Sequence, residues 1–502
     1  MERQLTDESE QTDPAGDADR PANTDPVVRG LSEAIGGPLG EHAVPPGHRF
    51  WTPVRVVLAL AALLLAAHWV QKSPCQDGAW SDLKQYKQYC YTDVLALYYS
   101  EGLSEGKVPY RDHAVEYPVL TGAFMGAIGL PVHALGVSMR DRGGINEGQW
   151  FYNINALVLS ILAVGAVGAV LAMRRARPWD ATLLALAPGV LVSATVNWDL
   201  LVIALTTFAL YAWGRRRPGL AGVLLGLAIA AKFYPLFLIG PLFLLGLRTR
   251  RWEALGITFG TAALTWTALN APVALPWRDS WLQFFHFSSV RGVDWGTLWY
   301  IGSHFPGGRQ PGFDVFHWIA GDTSRLNTAW TLLFALCCVG IALLAFVAPR
   351  RPRLAQLAFL VVACFLLVNK VWSQQFVLWL IPLAVLARPR WGAFLAWQVA
   401  EVCYFLAFYG ELMMASGNEI FPEWVFVFAA LARMITLWVL VVLVAREVLR
   451  PELDVVRTPN GDDPDGGAFA GVPDAGWVAS LQRWLAGGGA PARARAVRPT
   501  GS

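Results

Sequence analysis

Long apolar stretches broken by short basic clusters constrain this chain more than any other feature. Runs at 54–70, 151–173, 254–270, 328–348 and 425–445 each approach the ~20 apolar residues that a helix needs to cross a bilayer core. In lipid, every backbone N–H and C=O must be satisfied within the chain, so spanning segments are helices or closed barrels. Runs without apolar–polar alternation specify helices. Composition points the same way: 55% of the 502 residues are hydrophobic and only 15% charged, with a mean hydropathy of +0.41. The expected class is an all-α, polytopic membrane protein. A net charge of +3 argues against a nucleic-acid partner. No small-residue cleavage site follows the first run, which reads as an anchor and not as a cleaved signal.

The basic clusters set an expected orientation, because Lys and Arg stay on the cytoplasmic side. They are RRARP (174–178), GRRRP (214–218), RTRR (248–251), PRRPR (349–353) and ARPR (387–390), with Arg446 and Arg450 at the last run. Between them, 181–213, 219–247 and 354–386 are each too long for one crossing and suit hairpins of two short helices. Their tips, NWD (197–199), KFYP (232–235) and NKVWSQQ (369–375), then face outward. So do the loop 71–117 and the segment 271–325. About twelve crossings result. The stretch 118–137 cannot be a single crossing in this scheme: it re-enters, lies along the interface, or forms a short pair interrupted by Pro131.

Residues 51–446 form the membrane domain. Residues 1–50 and 447–502 are polar and rich in Pro, Gly and charge, and are expected to be disordered cytoplasmic tails. WVASLQRWLA (477–486) has helical apolar spacing, either as a surface helix or as a transient one. Cys337, Cys338, Cys364 and Cys403 lie in apolar runs as small hydrophobes. Cys75 and Cys90 share one polar loop, either as a disulfide facing an oxidising exterior or as two free thiols.

Val94, Leu97, Tyr98 and Leu103 recur at helical spacing, so DVLALYYSEGL reads as an amphipathic helix lying on the membrane. Asp93 heads it, as an N-cap, as a functional carboxylate at the outer surface, or as both. Farther along, YRDHAVEYP gathers Asp112, His113 and Glu116 where a long apolar stretch begins, as boundary markers or as the rim of a site.

The run YTDVLALYY…GKVPYRDHAVEYPVLTG, followed by RPWDA, NWDLL, AKFYPL, RGVDWGTLWY and NKVWSQQFVLWLIPL, resembles actinobacterial membrane proteins of glycosyltransferase family 87 over roughly 54–446. One departure is Val119 after Pro118, where many relatives read E-Y-P-P. The resemblance implies a GT-C fold with large outer loops, and transfer of a hexose, mannose above all, from a polyprenyl-phosphate donor. It implies an acid of the first outer loop as catalytic base, and Asp93 is the position that fits. The acceptor would be a glycolipid, polysaccharide or protein outside the cytoplasmic membrane.

That chemistry needs one group to take the acceptor hydroxyl's proton and cations to stabilise a phosphodiester monoanion as it leaves as a dianion. No nucleotide diphosphate leaves, so no metal or other cofactor is expected; between residues 51 and 446 the chain has no D-x-D pair. Lys232, Arg291 and Lys370 are the cation candidates. Their alternatives are snorkelling for Lys232 and an ion pair with Asp294 for Arg291. Ser373, Gln374 and Gln375 are candidate sugar ligands or helix–helix hydrogen-bonding groups. His286, His304 and His317 are candidate phosphate or proton partners, or interfacial aromatics. Asp112 and Glu116 are assigned to the rim, with Glu116 orienting an acceptor or holding the loop rather than acting as the base. Asp199 is expected to pair with a cation or to cap a helix. The competing class is a transporter or lipid flippase, which would carry its polar groups near the bilayer midplane in repeated halves.

Overall fold

Capping chemistry starts the long helices where the apolar runs begin. In the computed structural model, which describes residues 25–36, 50–307, 312–457 and 461–485, the Thr52 hydroxyl accepts the Arg55 N–H at the head of α1 (Pro53–Lys72). Pro53 follows in the first turn, where its missing N–H has no helical partner to lose. Thr92 caps the loop helix α2 (Asp93–Ser100). Helix α3 (Val119–Met139) follows Pro118, and Asn146 caps α4 (Glu147–Met173) through the Gln149 N–H. The described residues hold no strand, as the all-α expectation requires.

All three thirty-residue stretches are pairs of short apolar helices. They are Pro178–Ser193 with α5 (Asp199–Gly214), α6 (Pro218–Ala231) with Tyr234–Thr249, and α7 (Leu354–Val368) with α8 (Gln374–Ala387). Nearly every residue of α7 and of Val377–Ala387 is buried, so these helices, apolar on all sides, form the centre of the bundle. Thr323–Val347 is instead peripheral, with Leu332, Leu336 and Leu343 exposed. In a membrane protein those leucines face lipid. Two further long helices, α9 (Trp391–Ala415) and α10 (Glu423–Leu449), pack against each other.

The stretch 118–137 is one long helix, and its neighbours show how it lies. Thr121 of α3 donates to the Ala231 carbonyl at the KFYP tip. Along the same face Gly122 meets Tyr110, Gly126 meets Pro109, Gly129 meets Leu103 and Gly136 meets Glu147. A Cβ at Gly122 would overlap Tyr110 of the loop and one at Gly136 would overlap Glu147 of α4, so only glycine lets both lie against the helix. The loop thus lies along much of α3, which is one of six helices long and apolar enough to cross a membrane among the described residues. Pro131 sits within this helix and does not split it into a pair. Six long helices, α3 among them, and six shorter ones make twelve apolar helices among the described residues.

One face carries all three hairpin tips. The other carries the basic clusters, and there the C-terminal segment departs from expectation. Instead of being disordered from 447 onward, residues 451–457 and 461–485 fold onto the bundle. Asp454 pairs with buried Arg353 at 2.7 Å, Asp465 with Arg174 and Asp474 with Arg248 at 2.8 Å. Phe469 packs on Trp213 at 4.8 Å. The segment is too poor in apolar residues to fold alone, but its carboxylates meet arginines held at helix ends, which composition does not reveal. Helix Gly476–Leu485 docks through Val478, which is buried, and through Gln482, which donates to the Ala348 carbonyl. Near the N-terminus, helix Pro26–Gly36 is anchored where the Trp391 N–H donates to Asp25. The expected disorder of 1–24, 37–49 and 486–502 lies outside the described residues.

Candidate active site

The residue that heads α2 is free to do something other than cap it. The Thr92 hydroxyl accepts the Val94 N–H, which leaves the Asp93 side chain pointing away from the helix start. Helix α2 buries one side against protein. Val94, Leu95 and Tyr98 are buried, and the helix docks on α4, bringing Asp93 into contact with the NWD tip. The Asp93 N–H donates to the Val196 carbonyl at 2.7 Å, and Asn197 Nδ2 donates to Asp93 Oδ2 at 2.8 Å. The same Asn197 amide reaches the Tyr117 hydroxyl at 2.7 Å. Burial pushes the Asp93 carboxyl above the ordinary aspartate range, against hydrogen bonds from Asn197 and Tyr91 and the charge of Lys232.

Asp93 opens into a cavity of ≈ 950 Å³, into which Glu116, Lys232, Arg291, Lys370, Gln374 and Gln375 also face. With Ser373, also in its lining, these residues share one chamber, although the chain separates Asp93 from Gln375 by most of the membrane domain. An aromatic flank of Phe233, Phe237, Phe284, Phe285 and Trp330 lines the rest. Asp112, His113, His286, His304 and His317 do not line the chamber. Asp112 is exposed, bonded to Arg111 at 2.8 Å and to the Val108 N–H at 2.9 Å, so it closes a turn and is not at the rim. His286 is exposed and does not line the cavity.

The three cations have distinct situations. Lys232 is not a snorkelling lysine: its Nζ sits 2.5 Å from Asp199 Oδ1 and about 5 Å above the rings of Phe376 and Trp379, at 5.0 and 5.2 Å. Asp199 is fully buried and also accepts from Trp379 Nε1 at 2.5 Å, so the expected pairing of the NWD acid is with Lys232. Lys370 donates to the Ser289 and Arg291 carbonyls at 3.2 and 2.6 Å, and its backbone carbonyl accepts the Asp294 N–H. It therefore fastens the 289–294 loop. Arg291 makes its expected ion pair with Asp294, but at 3.4 Å and with its side chain 39% exposed. A guanidinium held this loosely has donors to spare for a phosphate.

Glu116 is half-buried. Burial raises its pKa, Asp93 adds to the rise and Arg291 opposes it. Its own N–H bonds to Glu101, whose carboxyl burial and Glu116 push up to about 7 and which lies 3.2 Å from His113. Gln374 bonds to Tyr409, and its carbonyl oxygen is buried without a protein partner. Cys75 and Cys90 form a disulfide that ties the loop before α2 to itself.

Sequence reasoning missed the groups that hold these side chains. Asn197 lies in a quoted motif, yet only its neighbour Asp199 was assigned a role; Tyr91 and Tyr117 stayed hidden among thirteen tyrosines. Arg433 in α10 pairs with Glu401 in α9 at 2.9 Å, both buried. It donates to the Trp372 carbonyl at 3.1 Å and lies 4.0 Å over the Trp372 ring, fixing the third tip. One charge of each sign in two apolar runs was the available signal.

Residues 149–373 match the family model of glycosyltransferase family 87, the family that the motifs resemble. The match takes in the NWD and KFYP tips, Arg291 and Lys370, and leaves Asp93 and Glu116 outside it. No curated protein matches the chain. With twelve apolar helices and this cavity, the match supports a membrane glycosyltransferase.

Proposed function

We propose, with the family 87 match of residues 149–373 as the premise, that the cavity transfers a hexose, mannose in the first instance, from a polyprenyl phosphate to an acceptor hydroxyl. One observation carries this reading: a half-buried carboxylate not needed as a helix cap, Asp93, shares a chamber with Arg291 and an aromatic wall. Asp93 takes the proton of the acceptor hydroxyl as its oxygen bonds to the anomeric carbon. The carbon–oxygen bond to phosphate breaks on the opposite side, so the configuration inverts. Arg291 meets the charge that grows on the leaving phosphate, and the Nζ hydrogen of Lys370 that its two carbonyl bonds leave free adds to it.

Lys232 acts differently from the other two. Its charge is matched by Asp199, so it contributes chiefly by holding down the Asp93 pKa. Glu116 orients the acceptor, and the aromatic flank accommodates the apolar chain of the donor. On this reading the tip-bearing face is the outer one and the basic face is cytoplasmic. Membrane vesicles carrying the protein, supplied with labelled polyprenyl-phosphate mannose, test it. Label passing into a new glycoside supports the proposal, and label crossing the membrane still on its donor supports the flippase instead.

A further inference from the structure

A second cavity lies at the opposite face, where α4 and α5 end. It has a volume of ≈ 190 Å³ and is walled by Arg174, Arg175, Arg177 and Arg215, with Tyr211 and Asp465. Two of the four arginines are already matched. Arg177 pairs with Asp180 at 2.8 Å, and Arg174 pairs with Asp465 while donating to the Leu386 carbonyl at 2.6 Å. The other two are exposed. Arg215 lies 5.2 Å over the Tyr211 ring, and neither Arg175 nor Arg215 makes an ion pair among the described residues. Arg174, only 2% exposed, keeps its Nε buried with no partner. The site therefore holds an excess of two positive charges and one unused buried donor, in a recess at the edge of the apolar layer.

We infer that this recess binds a phosphate group, held between Arg175 and Arg215 and completed by Arg174 Nε, and that the phosphate belongs to the headgroup of an anionic phospholipid. Planar guanidinium groups match phosphate oxygens two at a time. Basic recesses between helix ends at this depth are suited to acidic headgroups. The position adds a consequence: Asp465 comes from the folded C-terminal segment, so an occupied recess bears on how that segment is held.

The test uses the full chain in phosphatidylcholine nanodiscs, with phosphatidylglycerol in graded amounts or inorganic phosphate in the buffer. Lipid binding is read by native mass spectrometry and stability by thermal unfolding. Phosphatidylglycerol should bind saturably and raise the unfolding midpoint. In Arg175→Gln/Arg215→Gln that binding should weaken roughly thirtyfold, the loss expected for two basic side chains at an anionic lipid surface, with the midpoint in pure phosphatidylcholine unchanged. Arg216→Gln/Arg217→Gln, on the same turn but outside the cavity lining, should bind as the parent does. Inorganic phosphate that protects equally well, through the same two arginines, supports the phosphate site and overturns the lipid assignment. Equal losses in both double variants, or no effect of either ligand, would overturn the site itself.

Discussion

Removing the Lys232 charge should expose how far the site is built on one buried pair. Asp199 is fully buried, and two donors, Lys232 Nζ and Trp379 Nε1, each lie 2.5 Å from the same oxygen, while its other oxygen has no protein partner. Lys232→Met keeps the length and the apolar stem but leaves the carboxylate uncompensated. Breaking a buried pair from one side costs ~3–5 kcal/mol. The Trp379 hydrogen bond survives, and a bond to a charged group contributes ~1.5–3 kcal/mol, so the expected loss is about 3 kcal/mol. Asp199→Asn in the Lys232→Met background removes the orphaned charge and should restore most of that stability. Transfer should recover only in part in the double variant, because Lys232, which lowers the Asp93 pKa, acts on it more strongly than Asp199, which raises it. Unfolding in detergent, followed by tryptophan fluorescence beside a transfer assay, reads both. A Lys232→Met protein as stable as the parent, or a double variant no more stable than the single, would refute the pair reasoning.

The remaining expectations are shorter. Asp93 works as a carboxylate and burial raises its pKa, so activity should fall as pH drops through a midpoint above the 3.8 of an ordinary aspartate; Lys232→Met should move that acid limb higher still, and a limb that stays put contradicts the coupling. Leaving-group charge is assigned to Arg291 and Lys370, so transfer should survive excess chelator, and a loss restored by magnesium or manganese would show that assignment to be incomplete. Cysteines introduced at exposed positions of 71–117 should react with an impermeant reagent in intact cells and those at 214–218 should not; the reverse pattern would put the site on the cytoplasmic side.

The membrane fold was legible because its signals are one-dimensional. Apolar run length, basic clusters and polar tips fix which segments pair into hairpins and which ends share a face. What packs on α3 was not legible, because it depends on a glycine face meeting Tyr110, Pro109 and Leu103 from a loop earlier in the chain. The folded C-terminal segment was missed for a related reason: Asp454, Asp465 and Asp474 look like solvated charge until Arg353, Arg174 and Arg248 are seen opposite them. Within the site, residue types with few roles in an apolar setting, Asp93, Arg291 and Lys232, stood out. Asn197 and Tyr117 did not, since a hydrogen bond to a carboxylate has no sequence periodicity.

The central claim is that Asp93 takes the acceptor's proton, and the most direct measurement is the rate of transfer by Asp93→Asn from labelled polyprenyl-phosphate mannose in membrane vesicles. Thr92 caps α2 and the Asn197 amide can still be accepted by the new side-chain oxygen, so the variant should fold. A raised carboxyl pKa marks a charge that the fold disfavours at neutral pH, so stability there should not drop. Transfer should fall ~10²–10⁴-fold, the usual contribution of a general base, while Glu116→Gln should act mainly on the apparent affinity for acceptor. Near-normal turnover by folded Asp93→Asn, with Glu116→Gln inactive, would contradict the account and make Glu116 the base.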